Sequence, residues 1–284
     1  MPLTVTVIAP GMMGSAVGKR LSEHGVTVLT SLANRSAATR ARAAACGMAD
    51  APDPRIAASD FILSIVPPGQ AMGLAERLAP ALRRSASKPV YVDCNAVSPA
   101  TVRRIASVVQ ETGARFVDGG IIGPPPEPDS SKTRLYLSGP DAQAVTVLEQ
   151  HGLSTPVQAG PIGAASAMKM SYAGITKGFT ALGAAMMLAA SRAGTADALV
   201  AEMQVSQQAL LRWLTSQMPK MPAKAYRWVA EMEEIAAFVG DDPAGAAFYQ
   251  AAARLYERIA ADLADGRQEV AALDAFCRRA EQSG

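Results

Sequence analysis

An excess of charge of one sign is missing from this sequence. Lys and Arg number 27 against 25 Asp and Glu over 284 residues, so nothing in the balance favours nucleic acid or an anionic membrane as a partner. Cysteine is scarce: Cys46, Cys94 and Cys277 stand far apart without metal-ligand spacing, and their odd number argues against a disulfide framework. Histidine is scarcer. His24 and His151 are the only two, each beside a glycine near the end of an element, and neither has a partner in view for zinc or acid–base work. No basic segment followed by an apolar run stands at the N-terminus, so the expectation is a cytoplasmic protein. The most apolar stretch, near 178–190, contains Gly183 and follows Lys177, which suits a buried helix better than a membrane span. Internal repeats and low-complexity tracts are missing too.

What is present comes early. The apolar run Val5-Thr6-Val7-Ile8 leads into Ala9-Pro10-Gly11-Met12-Met13-Gly14, a helical stretch follows, and a second apolar run Val26-Thr27-Val28-Leu29 ends at Asn34-Arg35-Ser36. Strand, glycine turn, helix and strand within about thirty residues is how a chain grips a dinucleotide pyrophosphate, with the helix N-terminus offering free N–H groups. Ala9 replaces the first glycine of the usual G-x-G-x-x-G, while Gly11, at the closest phosphate approach, and Gly14, where helix packs on strand, are kept. Gly11, Met12, Met13 and Gly14 are therefore the expected pyrophosphate contacts. A plain βαβ turn without a ligand is the competing account.

The end of the second strand selects the cofactor. An acidic residue there would bond the adenine ribose 2′-hydroxyl and repel a 2′-phosphate. Residues 30–36 contain no Asp or Glu; Arg35 offers a planar cation to a phosphate, with Asn34 and Ser36 as neutral donors beside it. NADP is expected over NAD. Arg40 and Arg42 on the next helix add positive potential or are simply solvated helix charges.

Strand and helix signals keep alternating through the first half. Residues 61–66 form a buried-strand run that stops at Pro67-Pro68, and 90–93 form another, after which Ser98 caps a helix with Pro99 in its first turn. Phe116-Val117-Asp118 leads into a glycine-proline segment, 119–126, and 135–139 give a further strand. The fold class is α/β: a doubly wound Rossmann domain, largely parallel, over residues 1–160. Ligands sit beyond the carboxyl ends of such strands, so Val66, Pro67 and Asn95 are expected on the cofactor side of a crevice that residues 120–124 also line. From Ala164 onward strand signals vanish and Ala, Met and Leu recur at helical spacing. Residues 161–284 are expected to be all-α, with helices at 164–193, 196–217, 222–238, 244–265 and 267–282, and apolar enough to form a homodimer.

These segments resemble the β-hydroxyacid dehydrogenase superfamily, which includes 3-hydroxyisobutyrate and 6-phosphogluconate dehydrogenases and the related imine reductases. The glycine turn and Asn34-Arg35-Ser36 are similar to its NADP-dependent members. Asp93-Cys94-Asn95-Ala96-Val97-Ser98-Pro99 resembles the family segment on the nicotinamide side, and Gly160-Pro161-Ile162-Gly163 followed by Lys169 resembles the entry to the interdomain helix and its catalytic lysine. An ammonium in a partly desolvated cleft has a pKa lowered toward the working range, so it can give or take the proton that accompanies hydride transfer. On a helix, Lys169, Tyr172, Ala173 and Thr176 share a face, which sets Tyr172 and Thr176 as substrate-positioning candidates.

The chain departs from the pattern at the substrate. Ile122, before Gly123, stands where hydroxyacid members have a carboxylate-binding serine, and Ala173 stands where they have asparagine. Residues 118–125 look somewhat like those of imine reductases, which generally lack the lysine. Farther along, Arg227, Glu231 and Glu234 share a helix face. That pattern makes an Arg227–Glu231 surface pair or, alternatively, a Glu231 that holds a cationic small-molecule substrate. The expected activity is NADPH-dependent hydride transfer between the nicotinamide and a small carbonyl or hydroxy compound, with Lys169 as proton donor or acceptor and with C=N reduction or a non-catalytic NADPH sensor as alternatives. The cofactor reading makes a direct prediction. Arg35→Ala should weaken NADPH by about 1.5–3 kcal/mol while leaving NADH nearly unchanged, as titration of each cofactor against both proteins will measure.

Overall fold

Short β-rich runs and amphipathic helices alternate along the first 145 residues because each strand is apolar on both faces and needs a helix over each. In the computed structural model, which describes residues 3–127 and 132–282, these are β1 (Thr4–Ile8), α1 (Met12–Glu23), β2 (Thr27–Thr30), α2 (Ala37–Ala45), β3 (Met48–Asp50), α3 (Asp53–Ile56), β4 (Phe61–Ser64), α4 (Ala71–Arg84), β5 (Val90–Asp93), α5 (Pro99–Gln110), β6 (Arg115–Ile122), β7 (Arg134–Ser138) and α6 (Ala142–Val145). They build one seven-stranded sheet in the order β3-β2-β1-β4-β5-β6-β7. All pairs are parallel except β6–β7. The order reverses between β1 and β4, which is where a doubly wound sheet opens a crevice.

Side-chain alternation sorts the core into two layers. Val5, Val7, Val28, Leu63 and Val92 pack with Val17 and Leu21 of α1, whereas Leu29, Ile62, Tyr91 and Phe116 pack with α4 and α5. Leu78 and Leu82 of α4 are fully buried, each contributing roughly 2 kcal/mol. At the start of α5, Ser98 Oγ accepts from Thr101 N at 3.2 Å, as the cap reading expects.

The strand that begins at Arg115 does not stop at Asp118. It runs through Gly119 and Gly120 to Ile122 because β7 pairs back along it, Asp118 opposite Ser138 and Ile122 opposite Arg134. Asp118 is fully buried and its carboxylate collects the N-terminus of the helix that follows. Oδ2 accepts from Ser138 Oγ at 2.9 Å, Gly163 N at 2.8 Å and Ser166 N at 3.0 Å. Oδ1 accepts from Ser166 Oγ at 2.6 Å. A negative group at a helix N-terminus satisfies its free amides and complements its dipole. Gly120 completes the fit, since a Cβ there would lie 3.0 Å from the Ala165 carbonyl oxygen and 3.2 Å from Lys169 Cβ.

The helix so anchored is α7 (Ala164–Arg192), 29 residues long. The chain divides into two compact units at its second turn, Met1–Met170 and Ser171–Gly284. The second unit contains the rest of α7 with α8 (Ala196–Ser206), α9 (Gln208–Gln217), α10 (Pro222–Phe238), α11 (Pro243–Ala264) and α12 (Gln268–Gln282), and no described strand. The helix expected over 196–217 is broken. Gln207 leaves the helical region at φ −141°, ψ 43°, beside Val205, which is 88% exposed and packs on nothing that would hold the helix straight. Length and composition would let α7 cross a membrane. Its glycines, however, meet protein: a Cβ on Gly174 would lie 2.9 Å from Tyr249 Oη and one on Gly183 would lie 2.5 Å from Leu214. Asp118→Ala should cost about 3–5 kcal/mol in urea unfolding, because it strands buried amide and hydroxyl donors.

Candidate functional site

At the first turn of the fold, Gly11 is the extended residue before α1, and no side chain caps the helix. Its N–H donates to Ala9 O at 2.8 Å, and a Cβ added to it would meet nothing within 4 Å. Gly14 is the opposite case: a Cβ there would collide with the Ala9 carbonyl. One glycine leaves room for a ligand and the other lets helix and strand close together. Gly11, the exposed Met12, Met13 and Gly14 thus form an open, uncapped helix N-terminus of the kind that receives a pyrophosphate.

The loop after β2 is held from beneath. Asn34 adopts a left-handed conformation at φ 59° and Arg35 is exposed. Ser36 Oγ caps α2 by accepting from Thr39 N. The two arginines on α2 are not merely solvated charges. Arg40 donates to Leu32 O at 2.7 Å and to Arg35 O at 3.3 Å, and its guanidinium lies 3.9 Å from Asp50. Asp50 in turn accepts from Leu32 N at 2.8 Å. Arg42 reaches back to the glycine turn, Nε donating to Pro10 O at 3.0 Å while Nη2 lies 3.4 Å from Thr39 Oγ1. Thr39 Oγ1 is 3.0 Å from Ser36 Oγ. A chain of hydrogen bonds therefore joins the Ser36 end of the site to the pyrophosphate turn. The residues present fit a nicotinamide dinucleotide: an open amide cradle at one end, and at the other an exposed guanidinium with no carboxylate in its loop.

Beyond β4 and β5, Asn95 works as a bracket. Its Oδ1 accepts from Val66 N at 2.7 Å, and its Nδ2 donates to Ser64 Oγ at 2.8 Å and Asp93 Oδ2 at 2.9 Å. The side chain expected to contact cofactor is thus buried and spent on holding Val66 and Pro67 at the edge of the crevice. Lys169 Nζ donates to Cys94 O, 3.4 Å away at the carboxyl end of β5. Asp93 pairs in register with Asp118 and is buried below this point. Burial pushes its pKa up to about 7, with Asp118 adding to the rise and the Asn95 donors and Lys169 opposing it.

The remaining expectations divide by unit. Ile122 and Gly123 close β6, both at least partly accessible. In the helical unit Tyr172 is 52% exposed, and Thr176 Oγ1 donates to its own helix at Tyr172 O, 2.9 Å. Glu231 makes no pair with Arg227. It pairs with Lys177, with both side chains largely buried, while Arg227 stacks over Tyr226. The reason is local: the Lys177 ammonium also sits 5.3 Å from the Trp228 ring centroid, a desolvated seat that an exposed i,i+4 pair cannot match. Sequence reading missed the roles of Asp118 and Ser166, and left Arg42 between added positive potential and a solvated charge. A single carboxylate in an apolar strand, directly before two glycines, was the available signal for Asp118.

The raised pKa of Asp93 makes stability depend on pH in a definite direction. A folded-state value of about 7 lies above the ordinary 3.8, so the fold favours the protonated acid and loses stability as pH rises between those values. Asp93→Asn removes that loss while its amide oxygen still accepts from Asn95. Relative to the wild type, the variant should gain about 2 kcal/mol in urea unfolding between pH 5 and pH 8. A pH-independent difference would show that Asp93 does not titrate there.

Comparison with known proteins agrees with this geometry. Residues 4–150 match the NAD binding domain of 6-phosphogluconate dehydrogenase, and residues 190–259 match a domain of unknown function, DUF1932. An uncharacterized 28.5 kDa protein from Methanothermus fervidus is 31% identical over 142 residues, which cover 50% of this chain and 52% of that protein. The chain thus spans about half the length of the curated relative it matches. Among solved structures, the conserved protein MTH1747 of unknown function, described as similar to 3-hydroxyacid dehydrogenases, is 27% identical with a TM-score of 0.68, covering 95% of this chain and 99% of that one. Mycobacterium tuberculosis 3-hydroxyisobutyrate dehydrogenase, solved with L-serine, shares the fold at 18% identity, TM-score 0.70, over 97% of this chain and 99% of its own. An imine reductase from Myxococcus stipitatus in complex with NADP+ does so at 20% identity, TM-score 0.55, over 97% and 99%. The chain belongs to the β-hydroxyacid dehydrogenase-like superfamily, and residues 4–150 are an NAD-binding domain of the 6-phosphogluconate dehydrogenase type.

Proposed function

We propose that the protein is an NADPH-dependent reductase in which Lys169 exchanges the proton that accompanies hydride transfer to a carbonyl compound. The observation that carries this reading is the placement of Lys169. Its ammonium is delivered to the Cys94 carbonyl at the mouth of the crevice by a helix whose start is fixed on the buried Asp118. The bound nicotinamide supplies hydride. The chain's own part is to orient the substrate and to move one proton at Nζ as the carbonyl oxygen gains charge.

NADPH is favoured over NADH by the exposed Arg35, by Asn34 and Ser36 beside it, and by Asp50 being already engaged with Leu32 and Arg40. A carboxylate so occupied is not offered to a ribose hydroxyl. A specific observation also supports C=N reduction as a second reading. Ile122, in partial exposure at the end of β6, offers no hydrogen bond to a substrate at the position where hydroxyacid members of the superfamily carry serine.

The helical unit supports the reading of the protein as a homodimer. Tyr172, Ile175, Phe179, Leu182 and Met186 are each between 48% and 61% exposed, and their alternating spacing of three and four makes one apolar stripe along α7. Phe179, Leu182 and Met186 also line an apolar cavity of about 280 Å³ with Leu199, Leu214 and Phe276. A second copy covers such a stripe by two-fold symmetry.

Lys169→Met keeps the bulk of the stem and removes the proton. It should retain NADPH affinity, read by the change in nicotinamide fluorescence, and lower turnover on a ketone and imine panel by about 100- to 10,000-fold. Wild-type rates in the variant would assign proton transfer elsewhere. NADPH binding with no consumption across the panel in the wild type would make the protein a sensor.

A further inference from the structure

The pairing of β6 with β7 places Gly120 opposite Tyr136 and Ile122 opposite Arg134. Residues directly opposite one another in an antiparallel pair share a face, and every second residue along a strand shares it too. The orientation of that face is fixed by Gly120, whose missing Cβ would lie 3.2 Å from Lys169 Cβ. Tyr136, Ile122 and Arg134 therefore stand on the side of the sheet that bears Lys169. The other set, Gly119, Ile121, Leu135 and Leu137, points toward the opposite layer, where Leu135 and Leu137 are buried among the valines of β1 and β5.

Arg134 is an exposed arginine at the start of β7, and its Nη1 donates to Tyr136 Oη at 3.4 Å. No carboxylate among the described residues pairs with it. Lys169 leans the other way. Its Nζ donates to Cys94 O, which follows β5 on the far flank of β6. The backbone positions at which the two groups sit, Cys94 and Arg134, are thus offset by two strand spacings across the sheet and three residues along it, about 14 Å in all. Between them runs a strip of β6 surface with Ile122 as its apolar wall, which begins past Gly120, whose own face is covered by α7.

We propose that Arg134, braced by Tyr136, seats a carboxylate at the far end of the substrate, with an aliphatic spacer over Ile122 and the reacting carbon at Lys169. The placement of the reacting carbon rests on the reading of Lys169 given above. The chemistry follows from the residue types. A guanidinium fork binds a carboxylate in two parallel hydrogen bonds, and an isoleucine in the middle of the strip favours methylenes over polar groups. A carboxylate directly beside the reacting carbon finds an isoleucine where it needs a donor; one several methylenes away finds an arginine. The substrate class is therefore an oxo acid with its ketone or aldehyde remote from the acid group.

Two measurements test this separately from catalysis. Calorimetry on the NADP+-saturated protein compares hexanoate with hexanamide, which differ in charge but hardly in shape. Hexanoate should bind at least about tenfold more tightly, Arg134→Gln should abolish that preference, and Arg134→Lys should keep part of it. Turnover with NADPH then compares 4-oxopentanoate, 5-oxohexanoate and 6-oxoheptanoate with their methyl esters. The acids should lead the esters, and Arg134→Gln should lower kcat/KM for the acids alone by about tenfold or more. Equal binding of hexanoate and hexanamide, binding of neither, or equal weakening of both in Arg134→Gln would overturn the proposal. Charge-dependent binding without any reduction would leave the seat standing and refute the hydride-transfer reading. Equal reduction of acids and esters would do the reverse.

Discussion

Everything on the working side of the first unit depends on one buried carboxylate. Asp118 accepts from the amides of Gly163 and Ser166 and from the hydroxyls of Ser138 and Ser166. In doing so it nails the start of a 29-residue helix to the first strand of the β6–β7 hairpin. A helix is stiff over its first turns, so fixing residues 163–166 also fixes where Lys169 emerges. The glycine at position 120 matters for the same reason: without a side chain there, the helix backbone can rest directly on the strand. Burying a charge is costly unless its hydrogen bonds are met, and here four donors meet them. The arrangement exchanges that cost for a lysine in a defined place.

The two acids that stand in register on β5 and β6 have different donors. Asp118 has a helix N-terminus to itself. Asp93, its neighbour in register, has only Asn95, and burial beside a second carboxylate pushes its proton affinity up toward neutrality. Asn95 is the mediator, since the same amide that serves Asp93 also fixes Val66. A change in the charge of Asp93 is therefore felt both at the loop after β4 and at Lys169, which is one of the groups opposing its rise.

Much of this was legible in the sequence. The strand–glycine–helix signature announced the sheet and its cofactor turn, and the shift to Ala- and Met-rich helical spacing announced the second half. The helix expected at 164–193 is found at Ala164–Arg192. Such features are local, and local patterns are what a sequence displays. Partnerships across long separations are not. Glu231 was visible as a helix residue, but its counter-ion lies 54 positions away at Lys177. Arg42 read as added positive potential or as a solvated charge, and its bond to Pro10, 32 positions earlier, was not visible. Asn95 was placed at the crevice but not recognised as a bracket, because the three groups it bonds come from two different strand ends. The extension of β6 through Gly119 and Gly120 was hidden by composition. Glycines weaken a strand unless a neighbouring backbone needs the space, and that neighbour was not visible in the pattern.

The reversed direction of β7 bears on how this protein can change. Six strands run in parallel and commit their connections to helices that build the two core layers. The seventh returns directly beside its predecessor. The described residues at the two facing ends of this pair, Ile122 and Arg134, stand outside both buried layers. Side chains at these ends can be exchanged without disturbing the packing that keeps the sheet folded. A sheet built this way separates the positions that must stay for stability from a margin that is free to vary.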